Sequence, residues 1–166
     1  AFHLSKEEAG HHMTALCFVS GDMTGLELIA AGTSIICLAQ NIYFEARDQP
    51  TVGQLAVASV VLNRVHDDRW PNTVCEVVRE GPTHKHKTNL PLRDQCQFSW
   101  YCDGKSDIPT DAKAWRKATR VAEDIFYSYG LSMNLTDNAM FYHSVDVEPK
   151  WTYEYVVTIG DHIFYK

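Results

Sequence analysis

The run Ser34-Ile35-Ile36-Cys37-Leu38-Ala39-Gln40-Asn41-Ile42-Tyr43-Phe44-Glu45-Ala46-Arg47 decides how this chain is read. Ile35, Leu38, Ala39, Ile42 and Ala46 recur at three- and four-residue spacing, so a helix here carries one apolar stripe. Ser34 is placed to cap it, with Gly32 stopping an earlier helix, and Pro50 marks the turn that follows. At about 100° per residue, Glu45 falls beside Leu38 at the margin of the stripe. A carboxyl there is half-desolvated, which raises its pKa toward the range a general acid needs. The bland reading is a surface Glu in a helix's last turn. Tyr43 and Arg47, four apart, lie on the other flank, so Arg47 reads as a structural group.

The next helix runs from about Thr51 to His66 and is apolar almost all round, from Val52 and Leu55 through Val60, Val61, Leu62 and Val65. Such a helix belongs at the centre of a domain. Asn63 on it should satisfy itself against backbone. A third helix is expected over Asn72 to about Glu80, after Pro71 and before Gly81-Pro82. Thr110 or Asp111 caps a long last helix with a stripe of Trp115, Ala118, Ala122, Ile125, Phe126 and Tyr129, ended by Gly130. The remainder is β-like over Ala139–Ser144, Thr152–Ile159 and His162–Tyr165, the last two joined by the hairpin turn Gly160-Asp161.

Ahead of residue 34, Ser5-Lys6-Glu7-Glu8 and Thr24-Gly25-Leu26-Glu27 both fit capping boxes, so residues 1–33 read as a helical lead-in. The longest apolar stretch is interrupted by Asp22 and Glu27 and reads as too polar for a membrane span. No basic region leads into an apolar one as in an export signal. With 166 residues, 45% apolar and 22% charged, the chain has globular composition. Its net charge of −6 supplies no general attraction to nucleic acid or to anionic membrane.

Five cysteines have no short C-x-x-C spacing. Cys37 reads as a buried small hydrophobe, while Cys75, Cys96 and Cys102 flank a loop-rich segment in which one disulfide is open. His11 and His12 are adjacent and cannot share a helix face. His84-Lys85-His86-Lys87 has two histidines at strand spacing but no completing ligand nearby, so a solvated basic loop is expected and no metal is called for. Gln95-Cys96-Gln97-Phe98-Ser99-Trp100 alternates polar with aromatic, as a short strand would. Gln97 and Ser99 could bind sugar hydroxyls or acetamido groups, and Trp100 could cover a sugar ring. Tyr142-His143 ends a strand, a common position for functional side chains.

Several of these segments together resemble the SleB-type, spore-cortex-lytic family of cell-wall hydrolases. The likeness lies in Ala39–Arg47, in Gly53–Val65, in Pro71–Cys75, in Gln97-Phe98-Ser99-Trp100, in Tyr142-His143 and in Ile159–Tyr165. It covers about Ser34 to Lys166, making residues 34–166 the expected catalytic domain and 1–33 an extension packed on it. The resemblance implies a lysozyme-like α+β fold, mainly helical with a small antiparallel β region. It implies cleavage of the β-1,4 link between N-acetylmuramic acid and N-acetylglucosamine, chiefly by lytic transglycosylation. The family's catalytic Glu falls on Glu45. Gln97, Phe98, Ser99, Trp100, Tyr142 and His143 fall on the glycan cleft.

Expected from this are a monomer that binds peptidoglycan glycan strands and uses no cofactor, acting on the bacterial wall as a holin-released phage endolysin. The rivals are a hydrolysing muramidase with Asp94 or Asp103 activating water, a non-catalytic peptidoglycan-binding module, and a metal-dependent hydrolase using His84, His86 and His143.

Overall fold

Thr24 begins the first described element, α1 (Gly25–Ala46), through the expected capping box. Its hydroxyl accepts from the Glu27 N–H at 3.3 Å, and the Glu27 carboxylate accepts from the Thr24 N–H at 2.7 Å. The computed structural model describes residues 24–131 and 134–166. The Ser5–Glu8 box, His11, His12 and Cys17 lie outside those residues. The expected stop at Gly32 and cap at Ser34 are not realised, because α1 runs unbroken through both. A mid-helix glycine costs only about 1 kcal/mol, which burial of Ala31 and Ile35 on either side offsets. Undivided, α1 is long and apolar enough to cross a bilayer, which corrects the expectation that no stretch is. In this fold its stripe of Ile35, Leu38, Ala39, Ile42 and Tyr43 is instead the middle of the core.

The helix α2 (Thr51–Val65) follows after a short turn. Buried Gln54 closes that turn: its Nε2 donates to the carbonyls of Ala46, Arg47 and Gln49 at 3.1–3.3 Å. Arg47 O, at the end of α1, has no intrahelical partner, while Ala46 O also accepts from Gln49 N and Gln49 O from Lys117 Nζ. Asn63 meets backbone as expected, donating to Ala139 O at 2.8 Å, and its Oδ1 also accepts from Tyr129 Oη and Asn134 Nδ2. Shorter than expected, α3 (Val74–Val78) is capped by Thr73. Cys37 is not a free hydrophobe but is disulfide-bonded to Cys75, joining α1 to α3. Sequence spacing could not pair them, since the two helices pack together only in the tertiary fold.

A small antiparallel hairpin follows, β1 (Thr83–His84) with β2 (Lys87–Pro91), where an unstructured loop was expected. The segment expected as a strand at Gln97–Trp100 is instead an extended residue, Phe98, leading into a 3-10 turn over Ser99–Cys102. The Cys96–Cys102 disulfide and the bond from Asp94 N to Cys102 O close this loop on itself. The expected alternation survives as burial: Phe98 and Trp100 are buried while Gln97 and Ser99 are exposed.

Asp111 caps α4 (Ala112–Ser128), accepting from the N–H groups of Lys113 and Ala114 at 2.8 and 2.9 Å. Buried Tyr43 holds the same corner, its Oη accepting from the N–H groups of Thr110 and Asp111. The antiparallel sheet has the order β3 (Phe141–Ser144), β5 (His162–Tyr165), β4 (Tyr155–Ile159). Gly160, at φ +59°, makes the tight turn between the last two strands. Gln49 ties this turn to the α1–α2 corner, donating to Asp161 Oδ2 at 2.9 Å and accepting from Asp161 N at 3.0 Å. Phe164 packs with Ala46, Val57 and Val60, which seats the sheet beside the end of α1. The result is the expected α+β architecture, mainly helical with a small antiparallel region.

Candidate active site

Glu45 stands in the last turn of α1, half-buried, where the sheet comes against that helix. Register puts Tyr142 opposite Phe164, so both side chains point inward from the sheet. The Tyr142 hydroxyl donates to Glu45 Oε2 at 3.0 Å. Burial raises the Glu45 pKa. The Tyr142 bond and the Arg64 charge oppose that rise without cancelling it. Tyr142 itself is pushed well above the ordinary tyrosine range, first by burial and then by the Glu45 charge, so it stays a proton donor. The second carboxylate oxygen, Oε1, has no bond to the described residues that would compete with a substrate.

Among the described residues, Arg64 is the basic side chain whose charge favours the Glu45 carboxylate. It is almost fully buried, donates through Nε to Met140 O at 2.8 Å, and lies 4.1 Å from the Trp70 ring centroid and 5.3 Å from that of Phe98. Burial lowers its pKa to about 10, so it remains a cation at neutral pH. Glu80 faces the same cation. Its carboxyl is raised by burial, and its Oε2 finds no partner.

Beneath Glu45, one turn earlier on α1, Asn41 is wholly buried and accepts from Trp100 Nε1 at 3.0 Å. Trp100 stacks on Phe44 at 4.8 Å between centroids, and Phe98 sits 6.4 Å from the Tyr142 ring. The Cys96–Cys102 loop is therefore packed against Phe44, the neighbour of Glu45, and against Tyr142. His162 lies edge-on to Tyr142 at 5.2 Å, with its pKa lowered by burial.

The fold thus unites some of the expected site residues and separates others. Tyr142 reaches Glu45 directly. Phe98 and Trp100 are interior supports, and Gln97 and Ser99 remain at the surface of the same loop. His143 is on the opposite face of β3: its Nδ1–H donates to Ser144 O at 2.8 Å, and its Nε2 accepts from Tyr165 Oη at 2.9 Å. Asp94 is exposed at φ +58°, and the pKa of Asp103 is lowered, first by its bond from the Lys105 N–H. Neither bonds to Glu45. His84 and His86 are exposed on the β1–β2 hairpin, and no three His, Cys, Asp or Glu side chains gather among the described residues. A hollow of 360 Å³ between α2 and the end of α4, lined by Leu55, Ser59, Tyr129 and Leu135, does not include Glu45.

Asn41, Arg64 and Glu80 were missed as site residues. The available signal was polarity out of place, since Arg64 falls in a helix that reads apolar all round and Asn41 sits one turn before Glu45.

The Cell Wall Hydrolase family model matches residues 48–165. The chain belongs to that family. It is 31% identical over 132 residues to the spore cortex-lytic enzyme of Bacillus cereus, covering 78% of this chain and 42% of that protein. The corresponding Bacillus subtilis enzyme is 29% identical over 137 residues, covering 81% and 38%. The chain therefore spans about two fifths of the length of these relatives. Among solved structures, the catalytic domain of Bacillus cereus SleB superposes with a TM-score of 0.58 at 29% identity, covering 81% of this chain and 91% of that one. The catalytic domain of the germination-specific lytic transglycosylase SleB of Bacillus anthracis gives 0.57 at 32% identity, covering 80% and 93%. The span matched by the family model begins just after Glu45, so the role of that residue rests on its geometry.

Proposed function

We propose that the protein is a peptidoglycan lytic transglycosylase in which Glu45 is the only acid and base. The observation that carries this is a half-buried carboxyl, raised in pKa by burial, with one oxygen held by Tyr142 and the other without a bond to the described residues. The fold it shares with the two spore catalytic domains supports the same reading. The substrate is the glycan strand, cut at the β-1,4 bond between N-acetylmuramic acid and N-acetylglucosamine.

Protonated Glu45 gives its proton to the glycosidic oxygen as the bond to the leaving N-acetylglucosamine breaks. The resulting carboxylate is held by the Tyr142 O–H and the Arg64 charge. It then takes the proton of the muramyl 6-hydroxyl, whose oxygen closes on its own anomeric carbon. The products are a free 4-hydroxyl and a 1,6-anhydro end, and Glu45 is reprotonated for the next cycle. Gln97 and Ser99, exposed beside the buried supports Phe98 and Trp100, are the groups we assign to sugar contacts. Asp94 and Asp103, the carboxylates considered for activating water, are not bonded to Glu45.

We place the catalytic unit within residues 34–166, with residues 1–33 as its extension. The two disulfides support action outside a reducing cytosol, at the wall. Holin-dependent release as an endolysin is the finer form of that proposal, tested by requiring a co-expressed holin for lysis from within.

Digestion of purified sacculi by wild type and Glu45→Gln, followed by mass analysis of the muropeptides, tests the chemistry. Anhydro ends, one water lighter than reducing ends, are expected from wild type and not from the variant. Mostly reducing ends would instead identify a hydrolysing muramidase. Unchanged function in Glu45→Gln would identify a binding module.

A further inference from the structure

The β1–β2 hairpin leaves the fold between Glu80 and Gln97. Glu80 O accepts from Gln97 N at 2.9 Å and Pro82 O from Leu92 N at 2.8 Å, so residues 81–96 form an excursion closed at its base. Gly81 lies against Cys96 so tightly that a Cβ on it would stand 2.9 Å from the Cys96 Cα. The Cys96–Cys102 disulfide fixes the same loop, and Gln97 leads directly into Phe98, whose ring is 6.4 Å from that of Tyr142. The hairpin is thus rooted beside Gln97 and Ser99, the exposed residues assigned to sugar contacts.

Its tip is cationic. His84 pairs with Lys87 across the ladder, Lys85-His86 make the turn, and all four are exposed. No Asp or Glu occurs in Thr83–Pro91, although the chain has 21 acidic residues against 15 Lys and Arg. Cations in the loop that follows are matched: Arg93 lies 3.6 Å from the Asp94 carboxylate and Lys105 3.4 Å from that of Asp103. None of His84, Lys85, His86 and Lys87 enters an ion pair among the described residues. Folding gains nothing from gathering unmatched lysines at a turn, since like charges repel. Charge complementarity therefore points outward, to an anion on the substrate.

We propose that Lys85 and Lys87 bind carboxylates of the stem peptide carried by the muramyl residue, so that the enzyme prefers peptide-bearing glycan strands. This rests on the reading of the protein as an enzyme that cuts peptidoglycan glycan. From the base at Pro82 to Lys85 the hairpin rises about 10 Å, at ~3.3 Å per residue. A stem of about three to five residues reaches about 10–18 Å from its sugar, so its carboxylates match that rise. An ammonium is a compact point charge with three rotatable donors, which suits a mobile carboxylate better than a fixed fork does.

The test uses soluble glycan strands from sacculi freed of phosphate polymers, with the cross-links cut and the stem peptides kept, and the same strands stripped by an amidase. Wild type at low salt is expected to show a kcat/KM about three- to tenfold higher on peptide-bearing strands, the size of two exposed charge contacts. Lys85→Gln/Lys87→Gln is expected to lose that preference, to cut stripped strands as wild type does, and to depend less on salt. Lys85→Glu/Lys87→Glu is expected to reverse it. An equal preference in wild type and the Gln pair overturns the proposal, and so does a loss of the same size on stripped strands. Amidation of the peptide carboxylates should abolish the wild-type preference, and a preference that survives it overturns the carboxylate as ligand. An effect of the lysines seen only when the phosphate polymers are left in place also overturns it and makes phosphate the anion. The same ratios, read as Kd on a Glu45→Gln background, test the hairpin apart from the chemistry. A peptide preference present there, while wild type yields no anhydro ends, refutes the transglycosylase and supports the hairpin.

Discussion

Replacing Glu45 by Gln should move activity and stability in opposite directions, and both can be sized. Gln keeps the shape and an oxygen for the Tyr142 O–H, so the packing around Phe44 and Tyr142 is undisturbed. General acid catalysis supplies about 10²–10⁴-fold, equivalent to about 3–5 kcal/mol of barrier. Because the same carboxyl would serve both proton transfers, the loss should lie near the upper figure. Stability responds differently. Burial is the largest influence on the Glu45 carboxyl and outweighs its Tyr142 bond and the Arg64 charge, so the site disfavours the ion.

A raised folded pKa means that the stability linked to this group is complete in acid and is lost as pH rises through the folded value. At neutral pH, Gln removes that loss. A gain of about 1 kcal/mol is expected for relieving one unfavourable charge, or about 2–4 °C in Tm for a chain of this size. Calorimetry across pH gives the check: the two proteins should melt together below the ordinary carboxyl range and separate as pH rises. A neutral-pH Tm lower in Glu45→Gln would refute the desolvation argument. Turnover above about one hundredth of wild type would refute the acid.

Three further outcomes follow from the same structure. The Cys37–Cys75 bridge closes 38 residues and Cys96–Cys102 closes 6, so loop entropy assigns them about 4 and about 2 kcal/mol. Urea unfolding of Cys→Ser pairs should therefore show the α1–α3 bridge as the larger loss. Tyr43→Phe strips the acceptor from the N–H groups of Thr110 and Asp111, which water can partly replace, and should cost about 1 kcal/mol in a thermal melt. Arg64→Met removes a charge that favours the Glu45 carboxylate. The alkaline limb of its pH–rate profile should move to higher pH, and a limb moved lower would contradict the assigned sign.

What the sequence determined by itself was local. Thr24 with Glu27, Asp111, the stripe through Leu38 and Ile42, the all-apolar α2 and the Gly160-Asp161 turn are each written in neighbouring residues. The helices and hairpin they specify are present. The place of Glu45 at the margin of a core stripe was legible for the same reason. Where local rules met packing, packing won: Gly32 did not stop α1, and the alternating Gln97–Trp100 segment curled into a 3-10 turn with both aromatics inside.

Only the tertiary structure could supply the partners. Tyr142 comes to Glu45 from 97 residues away, and Trp100 comes to Asn41 from 59. Cys37 finds Cys75 across 38. The strand register, moreover, decides that Tyr142 faces Glu45 while His143 turns away from it. Periodicity records which face of an element is apolar but not which other element that face will meet. Glu45 could therefore be singled out as a candidate acid from its own helix together with the family resemblance, while the groups that set its proton could not.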